Sequence, residues 1–408
     1  MKKIFFLLLV ASLSVGALIA QPTCVKDAAY TIQNGQIPKA KLQIDKCIGQ
    51  YSENADVQLM KGNVYYRYHM YEQTQLEKNP SYVVKQPDAI IQADEAFFKA
   101  LQLNKDVRPI NGFTPVEGQK HCAQELEIIG GGYFNKQNYD EAKKFYTASI
   151  RGYKAADNKA SLGNVYYILA LIDNNMIIAA RENEKKAQEA GDVAKQQEFE
   201  KMQKEYDVSL LENMKQATSY RSPKSSPYEV LYERMLSGGD TVAAFKYLTD
   251  GLKYVPEKER YELYLKQINH YVLLDDTAAL QKSVQDFLVK FGETPENVAK
   301  VSQTLTNAGM FDRAADMLLK ASESNKDNLD ITKGLAYCYF FYAIQYQSDI
   351  ELYMKTRDLA KMSEVQKEQS KIQQEAYKWA KKALEIDPND PESKEMVNQL
   401  KAVLGDVE

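Results

Sequence analysis

Apolar and small residues along this chain recur with the period of an amphipathic helix. Within residues 136–150, Ala142, Tyr146 and Ser149 occupy positions i, i+4 and i+7, which lie on one face of a helix. The stretch before it, around Tyr133, has the same character and ends at a polar segment that favours a turn. These segments predict two short helices joined as a hairpin.

The same spacing returns along most of the chain. Small residues, mostly alanine, recur at helical spacing in each segment, and glycine or proline stands near many segment ends. Gly and Pro are sparse, 19 and 12 of 408 residues, which favours helix nearly throughout. The pattern predicts an all-α chain of about eight hairpins, near residues 21–54, 55–106, 123–156, 157–222, 225–256, 258–293, 295–326 and 327–388.

Three of these units are longer than the others. The spacing from Gly62 to Ala93 is more than twice the spacing from Gly130 to Ala142 in an ordinary unit. The added residues are good helix formers, so we expect both helices to lengthen together and to project as antiparallel arms. The expected turns lie at residues 79–81, at 191–192 and between 357 and 363. Disordered insertions are the alternative.

A short string marks the order of the units. GNVYY occurs at residues 62–66 and again at 163–167, and GLAYC takes the same place at 334–338. An ordinary unit followed by a long one therefore recurs. Proline and glycine at 108–118 and 221–227 indicate linkers, and the second linker predicts an N-terminal array, 21–222, and a C-terminal array, 223–408, that ends in a capping helix.

Two stretches resemble a known repeat. EAYKWAKKALEIDPNDPES, at 375–393, resembles the second helix of a tetratricopeptide repeat, and LGNVYY, at 162–167, resembles the first. The chain is thus similar to exported tetratricopeptide repeat proteins of the kind found in Bacteroidetes-type bacteria. The resemblance implies an all-α superhelical solenoid whose first helices line a concave groove for a protein or peptide partner.

The resemblance also implies which side chains face that groove. An asparagine offers a donor and an acceptor to a peptide backbone, and a tyrosine adds apolar area with a polar tip. The alternative for each asparagine is an exposed helix residue without a ligand, and for Tyr65 and Tyr166 packing is the stronger interpretation. The expected partner-binding residues are Asn63, Tyr66, Arg67, Phe134, Asn135, Asn164, Tyr167 and Tyr339, with Ile168, Leu335 and Cys338 at corresponding positions.

One ligand of that family is not expected. Its clamp for a C-terminal carboxylate needs a lysine four residues before the asparagine, where this chain has Leu59 and Ala160. The charge that would hold a carboxylate is therefore missing from both GNVYY segments.

The sequence contains no recognisable catalytic or metal motif. His69, His121 and His270 stand in separate units, and neither a nucleophile elbow nor a phosphate-binding glycine loop is present. We therefore expect no catalytic residue, no metal and no cofactor. Ile-Gly-Gly-Gly-Tyr at 129–133 lies inside a predicted helix, where it indicates either a hinge or a close approach, or packing at Gly130 with tolerated neighbours.

Residues 1–20 have a basic start, an apolar run and small residues near Ala20, the pattern of a cleaved secretory signal. No small-residue lipidation box precedes Cys24, so we expect an exported, periplasmic protein without a lipid; a retained N-terminal anchor is the alternative. Without Lys2 and Lys3 the net charge falls from −4 to −6, which does not favour nucleic acid. After residue 20 no apolar run of membrane-spanning length is expected.

Cys24 and Cys47 fall on opposite helices of the first predicted hairpin. Export to an oxidising compartment makes a disulfide between them possible, and it would tie down the new N-terminus. Free thiols are the alternative.

These features together predict a non-enzymatic interaction scaffold of the bacterial envelope, in an assembly or secretion machine. The alternative is a glycan-binding module of a nutrient uptake system, because 28 tyrosines offer faces to sugars. A single tryptophan, Trp379, weighs against that alternative.

Overall fold

The computed structural model describes residues 21–405, and in this range it contains seventeen α-helices and no strand. The predicted signal segment, 1–20, lies outside the described residues. The helices form stacked antiparallel hairpins, so the predicted all-α, tetratricopeptide-like fold is confirmed. The chain divides into two compact units after Arg221, close to the predicted limit at residue 222.

Each unit is a series of hairpins in chain order. The first unit consists of α1 (Thr23–Gln33), α2 (Ile37–Tyr51), α3 (Ala55–Lys78), α4 (Ala89–Leu103), α5 (Pro115–Asn135), α6 (Tyr139–Ala155), α7 (Lys159–Glu189) and α8 (Val193–Ser219). The second consists of α9 (Ser226–Ser237), α10 (Thr241–Tyr254), α11 (Tyr261–Leu273), α12 (Thr277–Phe291), α13 (Pro295–Asn307), α14 (Phe311–Ser324), α15 (Leu329–Thr356), α16 (Leu359–Ile386) and α17 (Pro391–Leu404).

Several of the turns between successive helices share one local design. A residue with positive φ, such as Gly191 at +71° or Asp275 at +53°, ends one helix. An aspartate or asparagine follows, and its side chain accepts the N–H three residues later, as Asp192 does from Lys195. The left-handed residue stops the first helix and the cap starts the second, so short polar pairs suffice to reverse the chain.

The glycine of GNVYY is a packing residue. Phe97 of α4 is fully buried, and a methyl group on Gly62 would lie 2.7 Å from its ring. A methyl group on Gly118 of α5 would lie 2.3 Å from the same ring. Phe97 therefore occupies a slot that exists because both neighbouring helices lack a side chain there.

Two of the three predicted arms have the expected form. Helices α7 and α8 have 31 and 27 residues, and α15 and α16 have 28 each. Their turns lie at Gly191 and at Arg357, which has a left-handed φ of 59°. Both positions fall within the predicted turn regions.

The prediction that both helices lengthen is wrong for the remaining long unit. Helix α3 has 24 residues, but α4 has only 15. Residues 79–88 instead form an irregular segment with turns at 80–81 and 87–88, and Glu72 bonds its backbone. The buried Glu72 carboxylate accepts the N–H groups of Lys85 at 2.7 Å and of Gln86 at 3.1 Å. The Glu72 carboxylate thus bonds backbone N–H groups that a second long helix would have bonded within itself.

The first predicted linker is shorter than expected because α5 begins inside it. Thr114 and Glu117 form a reciprocal capping box, with Pro115 at the first helical position. This arrangement starts a helix at a proline that sequence reasoning assigned to the linker.

The three consecutive glycines in α5 do not interrupt the helix. The helix runs without a break from Pro115 to Asn135. Gly130 packs against the Tyr146 ring, to which an added methyl group would approach within 3.0 Å, whereas Gly132 faces open space. The packing interpretation therefore fits the structure, and the hinge interpretation does not.

Helix α7 contains a long apolar run, which the sequence analysis did not expect after residue 20. Among the described residues, it alone is long and apolar enough, by length and composition, to cross a membrane, and half of its apolar segment is buried inside the protein. A buried core helix meets the same criterion, so this is weak evidence for a membrane span.

We predict that Gly132→Ala raises the free energy of unfolding of the first unit by about 1 kcal/mol, because alanine is the better helix former and meets no neighbour. Urea unfolding monitored by circular dichroism measures this change. Gly130→Ala is the matched control, and its gain should be smaller because Tyr146 must move. Equal gains at both positions would contradict the packing account.

The structure joins Cys24 to Cys47, with Cα atoms 6.0 Å apart, and leaves Cys122 and Cys338 as buried free thiols. We predict that mass spectrometry without reductant finds the first two in one linked fragment. The double substitution Cys24→Ala/Cys47→Ala should destabilise the first hairpin by about 3 kcal/mol, since the bond closes a loop in the unfolded chain. Two free thiols in protein isolated without reductant would contradict this bond.

Candidate functional site

The structure places Asn63 differently from the sequence prediction. Its side chain is 1% exposed, and its amide is used within the chain. Nδ2 donates to the carbonyls of Leu59 and Phe113, both at 3.0 Å, and Oδ1 accepts the Phe113 N–H at 2.7 Å. The expectation that this amide is open to a partner is therefore wrong. Asn63 does bind an extended backbone, but that backbone belongs to the segment before α5.

The aromatic neighbours of Asn63 hold the same segment. The Tyr66 ring meets Phe113 edge-on with centroids 5.3 Å apart, and Phe113 stacks on His121 at 4.4 Å. Gly112 has a φ of +108°, and a methyl group there would lie 2.1 Å from Asn63 Oδ1. Only glycine allows the backbone this close to the amide. The half-buried Tyr66 thus packs on the chain's own residues.

The second GNVYY has a different set of contacts. Asn164 is half-buried, and its Nδ2 donates to Glu127 at 3.1 Å. The same carboxylate accepts from the Tyr153 hydroxyl at 2.5 Å. Desolvation by burial, followed by this bond to Glu127, raises the pKa of Tyr153 and keeps its hydroxyl a donor. Asn164 therefore contributes to a polar contact between helices, and Tyr167 is half-buried in the core beside it.

The other predicted residues are divided between surface and core. Arg67 and Asn135 are exposed, while Phe134 is half-buried and meets Tyr139 edge-on at 5.7 Å. Tyr339 lies half-buried against the core of the second unit. The residues that correspond in the resemblance, Leu335 and Cys338, are fully buried core residues and not groove residues. Tyr65 and Tyr166 are also buried, as the packing interpretation requires.

An open groove lies elsewhere, on the first helices of the last hairpins in the second unit. It has a volume of about 440 Å³ and is closed on one side by Glu392 at the start of α17. Helix α13 contributes Lys300, Gln303 and Asn307, and α15 contributes Lys333, Tyr337 and Phe341. The groove thus combines aromatic area with amides and charges, a composition that suits a ligand with both apolar and polar groups.

Two polar side chains of α13 in this groove, those of Gln303 and Asn307, have no hydrogen-bond partner among the described residues, whereas Thr306 donates to the Ser302 carbonyl. Gln303 and Asn307 are exposed, and each carries a free amide donor and acceptor. The Phe341 ring is 44% exposed, and its centroid lies 6.4 Å from that of Tyr337, with planes inclined by 15°. The free amides therefore line the same groove as two aromatic rings, whereas the amides of Asn63 and Asn164 are already bonded within the chain.

Lys333 holds the groove to the terminal helix. Its Nζ lies 2.8 Å from Asp390 and 2.5 Å from Glu392. Burial by itself lowers the pKa of Lys333, but the two carboxylates outweigh it and raise the pKa to about 12. The ammonium is charged at every physiological pH, so this bridge between α15 and α17 does not depend on titration of the lysine.

Sequence reasoning missed Tyr337 and Phe341, although a signal for them exists. Helix α15 carries apolar residues both on its buried face, at Leu335 and Cys338, and on its exposed side, at Phe341 and Ile344. A helix inside a stack needs only one apolar face for its core. The exposed apolar residues were therefore the signal in the sequence for a surface that the core does not require.

No cluster of three or more potential metal ligands occurs between residues 21 and 405.

Comparisons with known proteins find similarity in structure alone. No protein-family profile and no curated sequence matches the chain. A tetratricopeptide repeat protein from Parabacteroides merdae is 15% identical, with a TM-score of 0.35 over 68% of this chain and 98% of its own. The C-terminal part of a TPR repeat-containing protein from Cytophaga hutchinsonii is 12% identical, with a TM-score of 0.30 over 91% and 99%.

The TPR domain of P58(IPK) is 11% identical, with a TM-score of 0.23 over 94% of this chain and 97% of that domain. These scores are too low to carry any property of those proteins to this one. The hairpin fold is evident from the contacts of this chain's own helices.

We predict that Asn63→Ala destabilises the first unit by about 2 kcal/mol, because the Phe113 N–H and C=O lose their buried partner. In this variant the Phe113 amide should exchange hydrogen for deuterium faster than in the wild type, under conditions in which the exchange of the helix amides is unchanged. Asn135→Ala is the matched control, and its change should stay within about 0.5 kcal/mol. Unchanged exchange at Phe113 in the Asn63 variant would contradict the assigned role.

Proposed function

We propose that the protein is a non-enzymatic scaffold that binds a protein or peptide partner through the groove on α13 and α15. The observation that carries this proposal is the open groove itself, which is lined by the exposed Phe341 ring and by the free amides of Gln303 and Asn307. A buried aromatic anchor surrounded by hydrogen-bonding groups is the usual energetic centre of a protein interface.

The groove needs no large change of shape to bind. Its wall consists of helices whose core residues, such as Leu335 and Ile331, are fully buried. A rigid wall costs the complex little ordering entropy on the side of this chain, so weak individual contacts can sum to specific binding. Binding alone accounts for the mechanism.

We also place this scaffold in the bacterial periplasm, within an envelope assembly or secretion machine. The signal-like pattern of residues 1–20 supports export. The bond between Cys24 and Cys47 supports an oxidising compartment, since disulfides persist there and are rare in the cytosol.

Affinity capture with the immobilised full chain tests the groove. The double substitution Phe341→Ala/Gln303→Ala should reduce recovery of a protein partner from extracts of the source cells by about tenfold, because it removes an interface anchor and a donor. Val242→Ala, at a residue that is 80% exposed on α10, is the matched control and should leave recovery unchanged.

Equal recovery by wild type and the double variant would contradict the groove as the binding surface. The same proteins are applied to an oligosaccharide array. Glycan binding that disappears in the double variant, without any captured protein, would overturn the scaffold proposal in favour of a glycan-binding module.

A further inference from the structure

The aromatic wall of the groove continues as an apolar stripe along α15. Tyr337, Phe341, Ile344 and Leu352 occupy positions i, i+4, i+7 and i+15, which lie on one face of a helix, and the exposed Ser348 stands at i+11 between the last two. Phe341, Ile344 and Leu352 are 44%, 50% and 52% exposed. We call these four residues the α15 stripe.

Most of the α15 stripe lies away from the buried face of the helix, and Ile344 stands at its edge, where it also lines a pocket with Gln373 of α16 and Leu400 of α17. Ala343 and Ile350 lie on the opposite face and are buried, and Gln369 of α16 donates to the Ala343 carbonyl at 3.0 Å. Helix α15 has 28 residues and α13 has 13, so the outer half of α15 extends about 20 Å without that neighbour. Ile344 and Leu352 therefore lie beyond α13, and about half of each residue is open to solvent.

The backbone of the arm restricts the kind of segment that can cover this face. Every peptide group along α15 between its ends is already hydrogen-bonded within the helix, so the arm offers no backbone partner to an extended strand. A helix satisfies its own backbone and needs only side-chain contacts. Successive stripe residues are separated by about 4.5 to 6 Å along the axis near the groove, which matches the ridge spacing of another helix.

The charges at the groove end of the α15 stripe favour one sign of charge on the partner. Glu296, Asp330 and Glu392 stand in the first turns of α13, α15 and α17, and all three line the groove. Lys333 is paired with Asp390 and Glu392, so the unpaired charges among the lining residues are those of Glu296, Asp330 and Lys300. This end of the stripe is therefore net negative and favours a cationic segment.

We infer that the α15 stripe binds an amphipathic helix of a partner protein, whose apolar face packs from Tyr337 to Leu352 and whose basic residues lie against Asp330 and Glu296. This inference rests on the proposed scaffold function and specifies its partner. It extends the binding surface from the groove onto the arm, where Ile344 and Leu352 contribute contacts that the groove lacks.

Fluorescence anisotropy with the full chain tests this inference. The probe is a designed, labelled peptide of about 21 residues with leucines at i, i+4, i+7 and i+11 and lysines at one end. A second probe carries glutamates in place of the lysines, and a third has a central proline that breaks the helix. The lysine probe should bind at least about tenfold more tightly than either of the others.

Substitutions on the arm separate the stripe from the groove. Leu352→Glu and Ile344→Glu should each weaken binding of the lysine probe about tenfold or more, because each places a carboxylate in the apolar contact. Met354→Glu is the matched control, since Met354 is 57% exposed on another face of α15, and it should leave binding unchanged. Circular dichroism checks that all three variants keep the helical content of the wild type.

The failures of the two proposals are distinguishable. The inference is overturned if no probe binds, if the three probes bind equally, or if Leu352→Glu and Ile344→Glu have no more effect than Met354→Glu. The scaffold proposal survives these outcomes if partner capture still depends on Phe341 and Gln303. Loss of that dependence overturns the scaffold proposal itself.

Discussion

The close approach of neighbouring helices around a buried ring is the constraint on which the hairpins of the first unit depend. Phe97 fills the space that Gly62 on α3 and Gly118 on α5 leave free, so one ring joins two consecutive hairpins. Dense packing of this kind tolerates no added methyl group unless a neighbour moves. The position of α3 against α5 then places Asn63 beside Phe113, where the amide bonds the connecting backbone.

The protein uses one kind of amide chemistry in two ways. In the first unit, Asn63 both donates to and accepts from the backbone of Phe113 in its own chain, as a groove asparagine would with a peptide. In the second unit, Gln303 and Asn307 remain exposed next to Phe341. A buried amide with all its partners adds stability and specifies the path of a connection, whereas an exposed amide is available to a ligand. The surface available to a partner therefore lies where polar side chains have no hydrogen-bond partner within the chain.

Much of the architecture is readable from local patterns, because helix periodicity and capping act over a few residues. The turns at Gly191 and Arg357 fell within the expected segments, since a left-handed residue and a following aspartate are local signals. The prediction of a second long helix after α3 is wrong, and the reason is a contact between residues that are distant in sequence. Glu72 provides a buried acceptor to the backbone of Lys85 and Gln86, more than a dozen residues away, and no helical signal reports such a contact.

The sequence by itself determined the all-α hairpins, their approximate limits and the packing role of the small residues, because these follow from spacing along one helix. It did not determine which polar side chains are free. Whether Asn63 binds a partner depends on Phe113, fifty positions along the chain, and whether Phe341 is exposed depends on how α13 and α17 flank α15. Only the tertiary structure decided those questions, because the availability of an amide or a ring is set by what packs against it and not by its own position in a repeat.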